Sequence, residues 1–234
     1  MMALIDKPLE WTSFDAVNKM KYALKGYLRK QVEEGKYILV PGQKLNIKIG
    51  HAGTLDPLAS GLLIVCIGKQ TKNINQYMGM DKEYTGSFFI GATRPSFDRE
   101  TAIDETFSIS HIADDLIHKT AQQFLGEQLQ YPPVYSAIKK DGKRLYESAR
   151  AGLKVKLEPR TVTIQAFEIT QIAMPLVYFR IVCSKGTYIR SIANDFGKSL
   201  GAGAYLNSLR RTKIGLYDVD DALTVDGFIN WVNG

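Results

Sequence analysis

The chain has 234 residues, 45% hydrophobic and 23% charged, the balance of an ordinary soluble globular protein long enough to bury a core without covalent staples. No stretch approaches the roughly 18 apolar residues of a membrane-spanning helix, and the start, Met1 to Pro8, lacks the basic region and long apolar run of a signal peptide, so a cytoplasmic protein is expected. Cys66 and Cys183 are the only cysteines and both sit in apolar segments, which predicts buried free thiols and argues against a structural zinc site.

In chain order, residues 1–8 read as a short strand ending at Pro8. A helix opens at Thr12-Ser13-Phe14-Asp15, with Thr12 or Ser13 as N-cap and an apolar stripe through Phe14, Val17, Met20 and Tyr22. Residues 25–46 carry many charges with Gly26, Gly35, Pro41 and Gly42, and read as a loop or insertion. The apolar run Leu62 to Ile67 reads as a buried strand or the start of a helix, followed by a polar helix. Tyr84 to Ile90 is strand-like, 93–108 is loop, and Ile109 to Gly126 has helical spacing. Gln130 to Ala137 is extended and fixed by two prolines, and Tyr146 to Ala151 reads as a helix ended by Gly152. Thr161–Ile172 and Leu176–Cys183 form a predicted antiparallel hairpin. Then come a helix over Thr187–Leu200, a short basic strand within Leu206–Tyr217, and a helix over Val225–Val232. These elements follow no regular βαβ alternation, so the expected class is α+β with a mixed, mainly antiparallel sheet flanked by helices and loops.

Charge is uneven. The net charge is +6, and the segment from Lys139 to Arg160 alone holds eight basic residues against three acids. Tyr131, Tyr135 and Tyr146 interleave with that basic run. Rings beside cations suit RNA, whose bases can stack on them, although charge alone fits a solvated face as well.

The chemistry concentrates in His51-Ala52-Gly53-Thr54-Leu55-Asp56-Pro57-Leu58-Ala59-Ser60-Gly61. Pro57 fixes its own φ and pushes Asp56 toward an extended conformation. Gly53 and Gly61 permit close backbone approach. One carboxylate is thus held stiffly beside an apolar element, an arrangement that suits a nucleophile or a general base. A bare Asp-Pro is more often a surface turn, and His51 and Asp56 lack the third ligand a metal hydrolase would need.

The whole string, from Gly50 to Gly61, resembles the catalytic loop of the TruB-type pseudouridine synthases, Gly-His-x-Gly-x-Leu-Asp-Pro-x-Ala-x-Gly. Four further segments are similar to that family in the same order: Asp6-Lys7-Pro8 through Thr12-Ser13-Phe14; Lys82-Glu83-Tyr84; Tyr131 to Lys139 with Gly142, Tyr146, Ala149 and Arg150; and Cys183 to Arg190 followed by Leu209-Arg210-Arg211-Thr212. Two places depart from the pattern. Glu10 stands where the family has Gly. In Gly91 to Arg99 only Asp98 matches the family's Thr-Asp-Thr-x-Asp.

The resemblance implies a pseudouridine synthase fold and a single catalytic domain over 1–234, without the C-terminal PUA-type domain of many relatives. It implies isomerisation of uridine to pseudouridine at position 55 in the tRNA T-loop, by base flipping and an Asp56 nucleophile. Catalysis would fall to Asp56, Tyr84 and Arg190, with Arg190 paired to Asp56 and the Tyr84 ring stacked on the uracil. His51, Lys82, Tyr188 and Leu209 would bind the substrate. Lys139, Lys143, Arg144, Arg150, Lys185, Arg210 and Arg211 would contact the RNA backbone. The partner is the T-arm of tRNA, and the protein is expected to be a monomer. The reaction neither gains nor loses an atom, so no cofactor or metal is expected. The competing reading is an RNA-binding protein that uses the same scaffold without catalysis.

Overall fold

The computed structural model describes residues 1–38, 45–135, 139–140, 143–144 and 157–234, the two lysine- and arginine-bearing dipeptides by backbone alone. The elements run β1 (Met2–Lys7), α1 (Ser13–Glu33), β2 (Ile49–His51), β3 (Ala59–Ile67), α2 (Ile74–Met78), β4 (Lys82–Ile90), β5 (Ala92–Thr93), β6 (Glu105–Thr106), α3 (Asp114–Gln122), β7 (Gly126–Gln130), β8 (Lys139–Lys140) and β9 (Lys143–Arg144). They continue with β10 (Arg160–Ala173), β11 (Leu176–Cys183), α4 (Ile189–Ser199), β12 (Ala204–Ile214), β13 (Tyr217–Asp218), β14 (Leu223–Thr224) and α5 (Val225–Asn233). No helix among the described residues is long and apolar enough to cross a membrane. The chain divides into two compact units, Met1–Lys82 with Arg210–Gly234, and Glu83–Leu209.

In the first unit β3 is the central strand. It runs antiparallel to β1, with Met2 opposite Cys66 and Lys7 opposite Gly61, and β2 pairs with its far end. The edge strand β14 joins β1 in parallel. The seven-residue run from Gly61 to Ile67 is continuous because both faces of β3 are covered. Leu63, Val65 and Ile67 pack with Ile5, Ala16, Val17, Met20, Val225, Phe228 and Val232, under α1 and α5. Leu62, Ile64 and Cys66 pack on the other side with Ala52, Tyr77, Ile214 and Val219. A strand, not a helix start, therefore follows the catalytic-type loop.

Helix α1 corrects the expected loop at 25–46 over residues 25–33. It begins at a reciprocal capping box, with Asp15 N–H donating to Thr12 Oγ1 at 3.0 Å and Thr12 N–H to Asp15 Oδ2 at 2.9 Å. It runs on to Glu33, because Leu24, Lys25, Leu28, Arg29 and Lys30 are good helix formers and Gly26 alone does not end it. Gly35, at φ +70°, terminates it. The expected stripe is half correct. Val17 and Met20 are buried, whereas Phe14 and Tyr22 are 65% and 73% exposed.

In the second unit the strand order is β12, β4, β11, β10, β7. The β10–β11 hairpin falls where the sequence predicts it, joined through Met174-Pro175. Its core is aromatic: the rings of Phe88 and Phe167 each lie within 4.3–6.4 Å of those of Phe179 and Phe196 and 6.1 Å from one another, and Phe124 joins them. Helix α3 is shorter than its spacing predicts. It starts at Asp114, where Asp114 and Asp115 sit in the first turn and complement the helix dipole. The polar stretch 93–108 is loop apart from the short β5–β6 pair. Strand β12 is longer than the predicted basic strand and begins at Ala204. The predicted helix over 146–151 lies outside the described residues.

Candidate active site

The Asp56 loop is fixed from both sides by its own unit. Ser13, next to the helix cap, turns inward: its Oγ accepts from Leu55 N–H at 2.8 Å and donates to Leu55 C=O at 3.1 Å. Leu55 is thereby pinned immediately before Asp56. Asp56 C=O accepts from Ala59 N–H at 3.0 Å, closing a turn around Pro57. Pro57 C=O accepts from Glu10 N–H at 2.8 Å. Glu10 sits at φ +67°, so the turn keeps a left-handed geometry that Gly would adopt freely.

Arg211 is the other support. Expected on the RNA backbone, it is 1% exposed. Its Nε donates to Leu62 C=O at 2.7 Å and its Nη2 to Gly53 C=O at 3.1 Å. Gly61, at φ +105°, lies under the Arg211 backbone; a Cβ there would stand 2.3 Å from Arg211 O. Arg211 thus ties the start of the loop to the strand that follows it.

Asp56 is half-buried, and its charge acts on the Lys7 ammonium. Lys7, fully buried, donates from Nζ to Pro8 C=O at 2.8 Å and Trp11 C=O at 2.6 Å. Burial pushes the Lys7 ammonium down to about 8, against the opposing pull of the Asp56 charge. His51, at the end of β2, is held below its ordinary value by burial and then by the Arg211 guanidinium, so its ring is neutral at pH 7. Its Nδ1 is buried without a hydrogen-bond partner among the described residues. Lys82 is 6% exposed, and its Nζ donates to Met78 C=O and Met80 C=O at 2.7 and 2.5 Å.

The second unit holds the other expected residues. Tyr84 is buried on β4, and Arg190 is buried in the first turn of α4. Arg190 Nη1 donates to Tyr135 C=O at 2.8 Å and Ser96 C=O at 3.3 Å, while Nε lies 3.5 Å from Asp98 Oδ2. Asp98 is itself buried and also accepts from Glu100 N–H. The 94–101 loop is cross-tied by Ser96 and Thr101, whose hydroxyls lie 2.9 Å apart. The segment that fits the family pattern least is therefore firmly built, and Asp98 emerges as an Arg190 partner that sequence reasoning singled out but gave no role.

Tyr188 caps α4 without a side-chain hydrogen bond of its own. Gln130, which no sequence signal marked, grips its backbone: Tyr188 N–H donates to Gln130 Oε1 at 2.8 Å and Gln130 Nε2 to Tyr188 C=O at 3.1 Å. Leu209 is half-buried and Lys185 exposed.

Of the remaining cations, Arg210 is engaged within the first unit, its two terminal nitrogens 3.0 and 2.8 Å from the Asp6 carboxylate oxygens. Lys139, Lys143 and Arg144 lie on the paired β8 and β9, with side chains outside the described residues, as is all of Arg150. Among the described residues no three His, Cys, Asp or Glu side chains converge as a metal site would require.

Solved structures share this fold. A chain of a Cbf5–Nop10–Gar1 complex is 27% identical with a TM-score of 0.70, covering 98% of this chain and 54% of that one. A chain of an archaeal box H/ACA Nop10–Cbf5 complex, 24% identical at TM-score 0.67, agrees in fold. This chain spans about half the length of those solved chains. The α+β architecture is that of the pseudouridine synthases.

The family model for the N-terminal domain of TruB family pseudouridylate synthases matches residues 41–189. A protein of Flavobacterium johnsoniae named tRNA pseudouridine synthase B is 58% identical over 225 residues, 96% of this chain and 93% of that protein. One of the same name from Phocaeicola vulgatus is 45% identical over 97% of this chain and 91% of that protein. The chain belongs to the TruB family of pseudouridylate synthases and is an enzyme of that class.

Proposed function

We propose that this enzyme converts uridine to pseudouridine at position 55 in the T-loop of tRNA. The observation that carries the reading is the Asp56 loop: a half-buried carboxylate whose neighbours on both sides are pinned by Ser13, Glu10 and Arg211. The name borne by the relatives at 58% and 45% identity supports tRNA as the substrate.

In this reading Asp56 is the nucleophile. Asp56 attacks the ribose C1′ or the uracil C6, the glycosidic bond breaks, the uracil turns, and a new bond forms from the ribose C1′ to C5 as the bond to Asp56 is released; C5 gives up its hydrogen as a proton and N1 takes one up. Tyr84 stacks on the uracil and Arg190 orients the nucleophile. His51, Lys82, Tyr188 and Leu209 bind the extruded nucleotide. Flipping a stacked base out of RNA costs a few kcal/mol, which contacts to the T-arm backbone offset. Lys139, Lys143, Arg144, Arg150, Lys185 and Arg210 are the candidates for those contacts, and binding weakens steeply with salt. The enzyme acts as a monomer in the cytoplasm.

The test is positional. T-arm hairpins carrying C5-tritiated uridine at position 55 alone, or at the other uridines alone, are incubated with enzyme. Tritium release only from the label at 55 is expected. Release from other positions, or none at all with the hairpin bound, contradicts the proposal.

A further inference from the structure

A residue that meets a flipped base must have something to hold both its backbone and its ring. For Tyr188, two residues that face each other across the β7–β10 ladder do so. Arg160, the first residue of β10, is the register partner of Gln130, the last of β7. Gln130 is 3% exposed and uses both ends of its amide on the Tyr188 backbone. Arg160 works on the ring: its Cζ lies 4.5 Å from the Tyr188 ring centroid. A cation over a ring face is attractive, and a planar guanidinium also restricts ring tilt.

The surroundings are shaped to this contact. Gly186, at φ +80°, passes beside Arg160, and a Cβ there would meet Arg160 Nη1 at 3.3 Å. Arg160 Nη2 is buried with no hydrogen-bond partner among the described residues. An unsatisfied buried donor is unfavourable and calls for an explanation. The ring contact supplies one. Tyr188 is also two residues before Arg190, so anything that lets the start of α4 drift moves both side chains.

We propose that Gln130 and Arg160 form a clamp, positioning Tyr188 for contact with the extruded uracil: Gln130 fixes its backbone and Arg160 fixes its ring. The clamp rests on the reading that Tyr188 lines the uracil site. Gln130 and Arg160 are positioning residues, acting through Tyr188.

The test is a double-mutant cycle on single-turnover tritium release from the T-arm hairpin, with hairpin affinity and thermal melting measured in parallel. Arg160→Met should slow release about 10-fold while hairpin affinity stays within about twofold. Arg160→Lys keeps the charge but loses the plane, and should fall between Arg160→Met and wild type. In a Tyr188→Leu background, Arg160→Met should add almost nothing. A wild-type rate for Arg160→Met beside a slow Tyr188→Leu overturns the clamp alone. Additive losses also overturn it, because they place the effect elsewhere. Weaker, less salt-sensitive binding at an unchanged rate would make Arg160 a phosphate contact and overturn it too. A wild-type rate for Tyr188→Leu overturns the uracil-site reading and the clamp with it. Should Arg160→Met fail to fold, the cycle with Arg160→Lys decides by the same criterion.

Discussion

At the Asp56 loop in the first unit, side chains hold backbone. Ser13 and Arg211 reach out of a helix and a strand to bind the carbonyls and amides of the Asp56 loop. Around Arg190 in the second unit, backbone and carboxylate hold a side chain. Arg190 is fixed by the carbonyls of Ser96 and Tyr135 and by Asp98. The difference follows from the groups being aimed. Aspartate is short, so aiming it means fixing its backbone. Arginine is long and flexible, so aiming it means catching its far end.

The comparison can be broken first at Asp98. Asp98→Ala removes one anionic partner of the buried Arg190 guanidinium, and removing one member of a buried pair costs about 3–5 kcal/mol. Denaturant unfolding should show that loss, with tritium release slowed about 100-fold. Unchanged stability and rate would mean that the carbonyls suffice.

Arg211→Met probes the other unit. It leaves the carbonyls of Gly53 and Leu62 without their donor and is expected to lower stability by about 2–3 kcal/mol. The salt dependence of RNA binding should keep its slope. A slope shallower by about 0.7–0.9 with stability unchanged would restore Arg211 to the RNA backbone.

Glu10→Gly sharpens the picture of the loop support. It relieves a left-handed residue and should stabilise the protein by about 1 kcal/mol, with activity retained. A loss of stability would mean the Glu10 side chain contributes more than its backbone strain costs.

The smallest effect is a pH dependence. His51 binds its proton less readily folded than unfolded. As pH falls below the ordinary histidine value of about 6.5, the unfolded chain takes up the proton first, so stability declines until the folded pKa is passed. His51→Gln should remove that component from the stability–pH curve, and an identical curve would contradict it.

Much of this was legible in the sequence, for physical reasons that also explain what was not. The β10–β11 strands and α5 alternate or repeat at the period of their structure and are bounded by Pro and Gly. The loop from His51 to Gly61 is local, so its motif carries it whole. The second half of α1 was hidden because its charged, glycine-bearing sequence lacks a clear apolar stripe. Arg211 is buried where the sequence reading expects it on the surface, yet the sequence carries a signal of this. Adjacent residues on a strand point to opposite faces, so of Arg210 and Arg211 only one could face outward. Asp98 and Gln130 act on Arg190 and Tyr188, far along the chain. No local pattern marks such pairs, and only the folded backbone brings them together.

The most direct test of the central claim is Asp56→Asn under single-turnover conditions, with the T-arm hairpin labelled at position 55 and its binding measured in parallel. The substitution keeps the size and the turn and removes the nucleophilic charge. Undiminished hairpin binding with no tritium release above the enzyme-free rate is the result expected. Release at the wild-type rate would show that the bond is broken without this carboxylate, and would contradict the account.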